Sequence, residues 1–212
     1  MDKCGNQSAV GDCWNKEHSW PKSWWGGQEN DAYSDMFHLV PSDGRVNNYR
    51  SNLPFGEVDN PTFGGGNEDG IFVEAKMGPC VTPGSSGNCF EPADDVKGDL
   101  ARGYFYMAVR YEGLLTGERD AVSGADIKIW QESLLRDWHL LDPVDDAERT
   151  RNDAILGLQG NRNPFIDHPE WVGQISDFFL ESLLCFFTSA GARAKPSNRL
   201  LKNRGCQRRP RG

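Results

Sequence analysis

The sequence predicts an α+β fold, in which a loop-rich first half precedes a helical second half. Residues 1–91 are rich in Gly, Pro, Asn and aromatic residues, and their apolar stretches, such as residues 36–40 and 71–75, are short. This composition is typical of short strands joined by long loops. From residue 92 onward, apolar residues recur at helical spacing. A chain of 212 residues can bury one core of ordinary size, so we expect a single domain.

Two helices are predicted between residues 92 and 140. Pro92, Asp94 and Asp95 favour the start of the first helix. Its apolar residues, three or four positions apart, are Val96, Leu100, Tyr104, Met107 and Tyr111. Ser123 is expected to cap the second helix. The apolar face of that helix would carry Ile127, Trp130, Leu134 and Trp138. Such stripes usually form a core rather than a cofactor site, so we interpret the second half as scaffold.

Two further helices complete the predicted scaffold. The third spans about residues 145–160, where Gly160 suits a helix end. The fourth begins near Pro169 and carries the apolar residues Trp171, Ile175, Phe178 and Leu183. The apolar run over residues 178–187 is too short to span a membrane, so we expect no membrane association. The chemistry should therefore lie in the loop-rich first half, where side chains can be placed irregularly.

Charge is distributed unevenly along the chain. The 23 basic and 31 acidic residues give a net charge of −8. Eight of the basic residues follow Ala190, in a stretch without acidic residues, so residues 1–189 carry 15 basic and 31 acidic residues, or −16. We predict a domain over residues 1–189 and a disordered basic tail over residues 190–212. Binding of nucleic acid to so acidic a body would need a metal ion, the tail, or a local strip including Lys16, Lys22 and Arg50.

The six cysteines include two close pairs in loop-like sequence, Cys4 with Cys13 and Cys80 with Cys89. We expect two local disulfides and therefore an oxidising compartment, secreted or periplasmic. Free thiols in a cytosolic protein are the alternative, because sequence does not reveal pairing. No spacing is Cys-x-x-Cys, which disfavours a structural zinc site. The first residues contain no apolar leader core, so we expect that a leader has been removed or is missing from this sequence.

A Glu-His pair carries the candidate chemistry. It lies in residues 16–24, KEHSWPKSW, and the amide-rich residues 34–52 follow it. His18 can accept a proton near neutral pH. Glu17 and an Asn carbonyl are hard oxygen ligands that suit Mg²⁺. Such a set can hydrolyse a phosphodiester with water as the nucleophile.

The same residues have plainer interpretations. A loop histidine is usually only a hydrogen-bonding residue, and adjacent side chains of a regular strand point to opposite faces. Glu17 and His18 could serve one site only if the strand ends or twists there, or if a phosphate bridges them. Zinc binding by His18, His38, His139 and His168 is disfavoured, because no two of them have the i, i+4 spacing of a helical zinc motif.

Several longer stretches resemble the bacterial endonuclease I family. They read EHSWPKSWWGG…AYSDMFHLVPSDGRVNNYRSNLPFGEV, then KGDLARGYFYMAVRYE, then DPVDDAERTRNDAILGLQGNRNPFIDHPEW. The blocks occur in the family's order and cover roughly residues 13–175. The resemblance implies a ββα-metal (His-Me) finger over about residues 13–58, embedded in a mostly helical domain.

The resemblance also implies roles for individual residues. By the family's pattern, Glu17 and Asn47 hold the metal, and His18 is the general base. The implied metal is Mg²⁺ or a similar divalent cation such as Mn²⁺ or Ca²⁺. The implied activity is endonuclease cleavage of DNA and RNA with little sequence preference, leaving 5′-phosphate ends. We expect the enzyme to act as a monomer.

The chain departs from the family pattern in two places. Phe37 stands where members often have His, and we interpret it as a change in packing or in the substrate groove. A phosphate-anchoring arginine of some members has no clear counterpart. Arg50, one helical turn after Asn47, is the candidate, with a structural salt bridge as its alternative role. The block QGNRNPF at residues 159–165 is interpreted as a structural turn near the site rather than as a substrate contact.

Two other functions are consistent with these observations. The first is a catalytically silent nucleic-acid-binding protein derived from the same family, which the acidic body and Phe37 favour. The second is a metal-dependent phosphodiesterase that acts on a small substrate. The presence of Glu17, His18 and Asn47 together favours the endonuclease.

Overall fold

The computed structural model describes residues 2–4 and 7–178 and has an α+β fold. Its first sheet has the strand order β1 (Asp2–Lys3), β2 (Cys13–His18), β3 (Leu39–Asp43). β1 is parallel to β2, whereas β2 and β3 are antiparallel. A 3-10 turn (Lys22–Trp25) and helix α1 (Asp31–Ser34) lie between β2 and β3. Helix α2 (Gly44–Arg50) follows β3 directly.

The second sheet is an antiparallel meander. It contains β4 (Phe63–Glu68), β5 (Ile71–Pro79) and β6 (Asn88–Glu91), with β5 in the centre. Disulfides join Cys80 to Cys89 beside this sheet and Cys4 to Cys13 in the first sheet. Both predicted cysteine pairs are therefore confirmed, and each one ties a loop to a strand.

Helices dominate the chain after the second sheet. A 3-10 turn (Asp94–Val96) leads into α3 (Lys97–Arg110), and a small hairpin follows, formed by β7 (Val122–Ser123) and β8 (Asp126–Ile127). The remaining elements are α4 (Ile129–Leu141), α5 (Asp146–Gln159), α6 (Pro164–Asp167) and a 3-10 turn (Pro169–Trp171). Within the part of the chain that the structure describes, no helix is long and apolar enough to cross a membrane.

Helix α3 lies at the centre of the main core. Its residues Ala101, Tyr104, Phe105 and Met107 are fully buried. The aromatic residues packed in the same core come from both halves of the chain and include Trp20, Phe55, Trp138, Phe165 and Phe178. Gly103 lets the chain before β3 approach α3 closely, because a Cβ there would lie 2.8 Å from the Phe37 carbonyl oxygen. The core therefore fixes the segment that leads into the first sheet.

The predicted first and third helices are confirmed. α5 begins where the Asp145 side chain accepts a hydrogen bond from the Glu148 backbone N–H at 2.8 Å. It ends at Gly160, whose φ of 85° is the left-handed conformation that favours glycine. The predicted start and end of α5 each lie within one residue of the observed ones, because each depends on the chemistry of the adjacent backbone.

The predicted start of the second helix is wrong. Ser123 does not cap a helix but lies in β7, and α4 begins six residues later at Ile129. Gly124, with a φ of 63°, turns the chain so that β7 pairs with β8. Lys128 occupies the N-cap position and makes no side-chain capping bond. The helix start thus depends on hairpin pairing rather than on a capping side chain.

The predicted fourth helix is also wrong over the residues that can be compared. The chain forms only a 3-10 turn at Pro169–Trp171 and then runs irregularly to Phe178. Val172, Ile175 and Phe178 are nevertheless buried in the main core. Their apolar character therefore reflects packing and not helical periodicity. Leu183, the domain limit at residue 189 and the basic tail over residues 190–212 lie outside the described residues.

Candidate active site

An antiparallel strand pair followed by a helix carries the predicted site residues. The pairing of β2 with β3 ends where His18 lies opposite Leu39. At the other end of β3, the Asp43 side chain accepts hydrogen bonds from the backbone N–H groups of Arg45 (2.8 Å) and Val46 (3.1 Å). This cap starts α2 immediately after the strand, and the helix packs against β2.

One groove brings together Glu17, His18 and Asn47. Its volume is about 1130 Å³, and all three residues contribute to its lining. Glu17 and His18 are the last two residues of β2, and both line this groove although they are adjacent in the strand. Arg50 is only 2% exposed and is not among the residues that line this groove.

The imidazole of His18 is held by one backbone contact. Its Nε2 lies 3.0 Å from the backbone carbonyl oxygen of Tyr33, which is in α1 between β2 and β3. A carbonyl oxygen can only accept, so Nε2 carries the proton and Nδ1 is the acceptor of the ring. Burial lowers the pKa of His18, the bond to Tyr33 opposes this, and the nearby charges of Lys22 and Lys16 lower it further. The neutral imidazole is therefore the form expected at neutral pH.

Glu17 forms an ion pair with Arg50. The Nη1 group of Arg50 lies 2.5 Å from Oε1 of Glu17 and also donates to the His18 carbonyl at 3.0 Å. Its Nη2 group donates to the Ser19 carbonyl at 2.5 Å. Burial raises the pKa of Glu17, and the opposing charge of Arg50 does not fully offset this. Oε2 of Glu17 is not used by this ion pair.

Asn47 is oriented by a neighbouring amide. Its Nδ2 donates to Oδ1 of Asn15, on β2, at 2.6 Å. An amide that donates through its nitrogen in this way keeps its oxygen as an acceptor or a ligand.

The donor set suits a hydrated hard cation. Within residues 2–4 and 7–178, no group of three or more His, Cys, Asp or Glu could hold a metal ion. Mg²⁺ does not need such a cluster, because it keeps several waters and binds through one or two protein oxygens. Oε2 of Glu17 and Oδ1 of Asn47 are donors of this kind. The residues present therefore fit Mg²⁺ and do not fit a tetrahedral zinc site.

Three lysines give the groove positive charge in an acidic protein. Lys3, Lys16 and Lys22 line it, and in the described part of the chain none of them forms an ion pair. Cations elsewhere are paired with carboxylates, including Lys76, Lys97, Arg102, Lys128, Arg136 and Arg162. Of the expected basic strip, Lys16 and Lys22 lie in the groove. Sequence reasoning missed Lys3, which reaches the groove because β1 pairs with β2.

Phe37 belongs to the core. It is 4% exposed, and its ring centroid lies 4.6 Å from that of Tyr106. The next residue, His38, is fully buried, with Nε2 2.6 Å from the Ala32 carbonyl oxygen. Burial lowers the pKa of His38 to about 4, so it is neutral at neutral pH. This geometry supports the packing interpretation of Phe37.

The QGNRNPF block contacts the chain just before β3. Oε1 of Gln159 accepts from the Met36 backbone N–H at 2.8 Å. Nδ2 of Asn161 donates to the Tyr106 hydroxyl at 2.7 Å. Because these amides bond to protein groups, the block acts as the structural turn that the sequence predicted.

Comparisons with known proteins identify the family of this chain. The family model described as Endonuclease I matches residues 1–170. An extracellular ribonuclease of Bacillus subtilis (strain 168) is 43% identical over 180 residues, which is 80% of this chain and 56% of that protein. An extracellular ribonuclease of Bacillus amyloliquefaciens is 42% identical over 183 residues, or 82% and 57%. A periplasmic deoxyribonuclease of Aeromonas hydrophila is 30% identical over 140 residues, or 65% and 49%.

The chain spans about half the length of the curated relatives it matches. The family model nevertheless covers most of the chain, including both strands and the helix that carry the groove. On this match, the chain belongs to the endonuclease I family.

Proposed function

We propose that this protein is a divalent-metal-dependent endonuclease that hydrolyses the phosphodiester bonds of DNA and RNA. The observation that carries the proposal is the single groove lined by Glu17, His18 and Asn47. The order of β2, β3 and α2 supports the interpretation of residues 13–58 as a ββα-metal finger. Membership of the endonuclease I family supports the same assignment.

His18 is the general base in this proposal. Its Nδ1 takes the proton of the attacking water, while Nε2–H stays bonded to the Tyr33 carbonyl. That bond holds the tautomer and stabilises the imidazolium that forms. A lowered His18 pKa keeps the ring able to accept a proton at neutral pH.

Glu17 and Asn47 are the proposed ligands of the metal ion, Mg²⁺ or a similar divalent cation such as Mn²⁺ or Ca²⁺. When bound, the cation offsets negative charge on the pentacoordinate phosphorus and on the leaving oxygen. Arg50 fixes the Glu17 carboxylate through Oε1, and Oε2 would be the oxygen that holds the ion. We therefore assign Arg50 a positioning role, and its direct contact with a phosphate stays a prediction.

The proposed substrates follow from the nucleophile and from the charge of the groove. Because water attacks, a ribose 2′-hydroxyl is not required, and both DNA and RNA can be cleaved. The relatives include proteins named as ribonucleases and as deoxyribonucleases. Lys3, Lys16 and Lys22 supply contacts for backbone phosphates, which carry no sequence information, so we expect little sequence preference. The leaving group is proposed to be the 3′ oxygen, which leaves 5′-phosphate ends.

The cellular setting is proposed from two agreeing observations. Two disulfides fit an oxidising compartment. The relatives are named as extracellular or periplasmic nucleases. We propose that the protein is secreted or periplasmic and acts as a monomer through a nuclease domain over residues 1–189.

A catalytically silent nucleic-acid-binding protein is the alternative. The acidic body and Phe37 favour it. Phe37, however, packs on Tyr106, and Glu17, His18 and Asn47 still line one groove, to which Lys3, Lys16 and Lys22 add positive charge. The geometry therefore gives the silent function no separate support.

Digestion of plasmid DNA and of RNA, with and without EDTA, tests the proposal. We expect cleavage that stops with EDTA and resumes with excess Mg²⁺. His18→Ala should lower the rate by about 10²–10⁴-fold. The matched control is His168→Ala, since His168 is half-exposed and stacks on Trp171 away from the groove residues.

Two results would contradict the proposal. Cleavage by His18→Ala at the wild-type rate would remove the base from the mechanism. Hydrolysis of a dinucleotide without any cleavage of plasmid DNA would replace the endonuclease by a phosphodiesterase for small substrates.

A further inference from the structure

Asn15 contacts the site, although the family resemblance gave it no role. It lies two residues before Glu17 on β2, so the two side chains extend from the same face of the strand. Its Oδ1 accepts a hydrogen bond from Nδ2 of Asn47 at 2.6 Å. We propose that Asn15 is a positioning residue that turns the oxygen of the Asn47 amide toward the metal. The inference rests on the proposed function, which makes Asn47 a metal ligand.

Asn47 needs such a partner because its two amide ends have nearly the same shape. Rotation by half a turn about the last side-chain bond exchanges the oxygen and the NH₂ group at little cost in conformational energy. The oxygen can bind a cation, whereas the NH₂ group repels it. A fixed acceptor beside the amide selects the first arrangement, because only the NH₂ group can donate to it.

Asn15 is itself held by the N-terminal arm, by which we mean the described residues before β2 (2–4 and 7–12). Its Nδ2 donates to Oε1 of Gln7 at 3.4 Å, so the three amides bond head to tail from Asn47 to Gln7. The disulfide between Cys4 and Cys13 closes this arm onto β2. Gly44, the first residue of α2, packs tightly against it, since a Cβ there would lie 2.7 Å from Oε1 of Gln7. The arm, the strand and the helix are therefore packed around one chain of amides.

A simpler role for the bond is to join α2 to β2. In that case its loss would lower stability and leave the metal affinity of the folded protein unchanged. The two roles therefore differ in a quantity that calorimetry measures directly.

The experiment compares Mn²⁺ affinity among variants of the full chain. Asn15→Leu removes the acceptor with little change in size, whereas Asn15→Asp keeps an acceptor that can never donate. Asn48→Leu and Asn48→Asp are the matched controls, because Asn48 is an exposed amide lining the same groove and makes no bond to Asn15. Thermal unfolding of each variant in EDTA reports its stability without the metal.

We expect Asn15→Leu to weaken Mn²⁺ binding by about 10- to 100-fold, as is usual when a partner of a metal ligand is lost. Asn48→Leu should bind Mn²⁺ with the affinity of the wild type. Asn15→Asp should bind at least as tightly as Asn48→Asp, which adds the same charge. If Asn15→Leu does not fold, the comparison of Asn15→Asp with Asn48→Asp decides. Weaker Mn²⁺ binding by Asn15→Asp than by Asn48→Asp would overturn the role of Asn15.

The remaining outcomes separate this inference from the proposed function. Wild-type affinity in Asn15→Leu, together with a loss in Asn47→Ala, would overturn the role of Asn15 and leave the proposed function standing. No Mn²⁺ binding by the wild type, or unchanged binding by Asn47→Ala, would overturn both.

Discussion

Two buried arginines serve two regions of this molecule in different ways. Arg102, in the helical half, is fully buried, with Nε donating to Oε1 of Glu148 and Nη2 lying 2.7 Å from Oε2. It also pairs with Asp99 at 3.0 Å. Arg50, in the strand half, binds only one oxygen of Glu17 and otherwise donates to backbone carbonyls.

The difference shows how a scaffold differs from a site. Arg102 engages both oxygens of Glu148 and also donates to the Asp142 carbonyl at 2.9 Å, so it links α3, the end of α4 and α5. The ion pair of Arg50 leaves one oxygen of Glu17 unused beside the groove. An ionised carboxylate oxygen beside the groove can accept a further cation. In the helical half, the buried ion pair of Arg102 and Glu148 joins helices. In the strand half, the ion pair of Arg50 and Glu17 leaves a carboxylate oxygen that could bind a ligand.

The largest expected effect separates the two arginines. Arg102→Met should lower the free energy of unfolding by about 3–5 kcal/mol, because it leaves the Glu148 carboxylate buried without its partner. Cleavage per folded molecule should stay at the wild-type value. Arg50→Met should lose stability too, but it should also lose metal affinity. Denaturant unfolding and Mn²⁺ calorimetry measure the two quantities, and equal metal affinity in both variants would break the comparison.

A smaller effect comes from the two aspartates that cap helices. Asp43 caps α2 and Asp145 caps α5, each through backbone N–H groups. Replacing either with Ala should cost about 0.5–2 kcal/mol of stability. Only Asp43→Ala should also weaken Mn²⁺ binding, because α2 carries Asn47. An equal loss of affinity in Asp145→Ala would show that metal binding follows global stability and not the position of α2.

The smallest effect concerns the lysines of the groove. Lys16→Gln and Lys22→Gln should each reduce the slope of log affinity against log salt by about 0.7–0.9, the contribution of one phosphate contact. The control is Lys128→Gln, because Lys128 is paired with Glu118 and does not line the groove. Affinity for a fluorescent oligonucleotide, measured in EDTA over a range of salt, gives the slopes. An unchanged slope for both groove variants would remove these lysines from substrate binding.

Sequence reasoning succeeded where structure depends on neighbouring residues. The boundaries of α5 follow from Asp145 and Gly160, which act on the backbone next to them. The motif predicted Glu17, His18 and Asn47 as site residues, and all three line one groove in the structure. Their roles stay predictions. The disulfides close loops between cysteines nine residues apart, so pairing of near neighbours was the simplest assignment.

Sequence reasoning failed where the local structure depends on contacts between residues distant in sequence. Ser123 has the chemistry of a helix cap but enters a hairpin, because Gly124 permits the reversal. The bond between Asn15 and Asn47 joins residues 32 positions apart, and no local pattern marks it. Lys3 reaches the groove only because β1 pairs in parallel with β2. Tyr33 orients His18 through a backbone carbonyl, a role that its side chain cannot reveal.

We propose that Glu17 and Asn47 would hold a divalent cation beside His18. Titration of Mn²⁺ into protein labelled with ¹⁵N-histidine tests it directly, because a paramagnetic ion broadens the signals of nearby nuclei. The chain has four histidines, of which His139 and His168 lie in the helical half. We expect the His18 signals to vanish first, those of His139 and His168 to persist, and the effect to disappear in Asn47→Ala. Broadening that begins at His139 or His168, or that is equal at all four rings, would contradict the account.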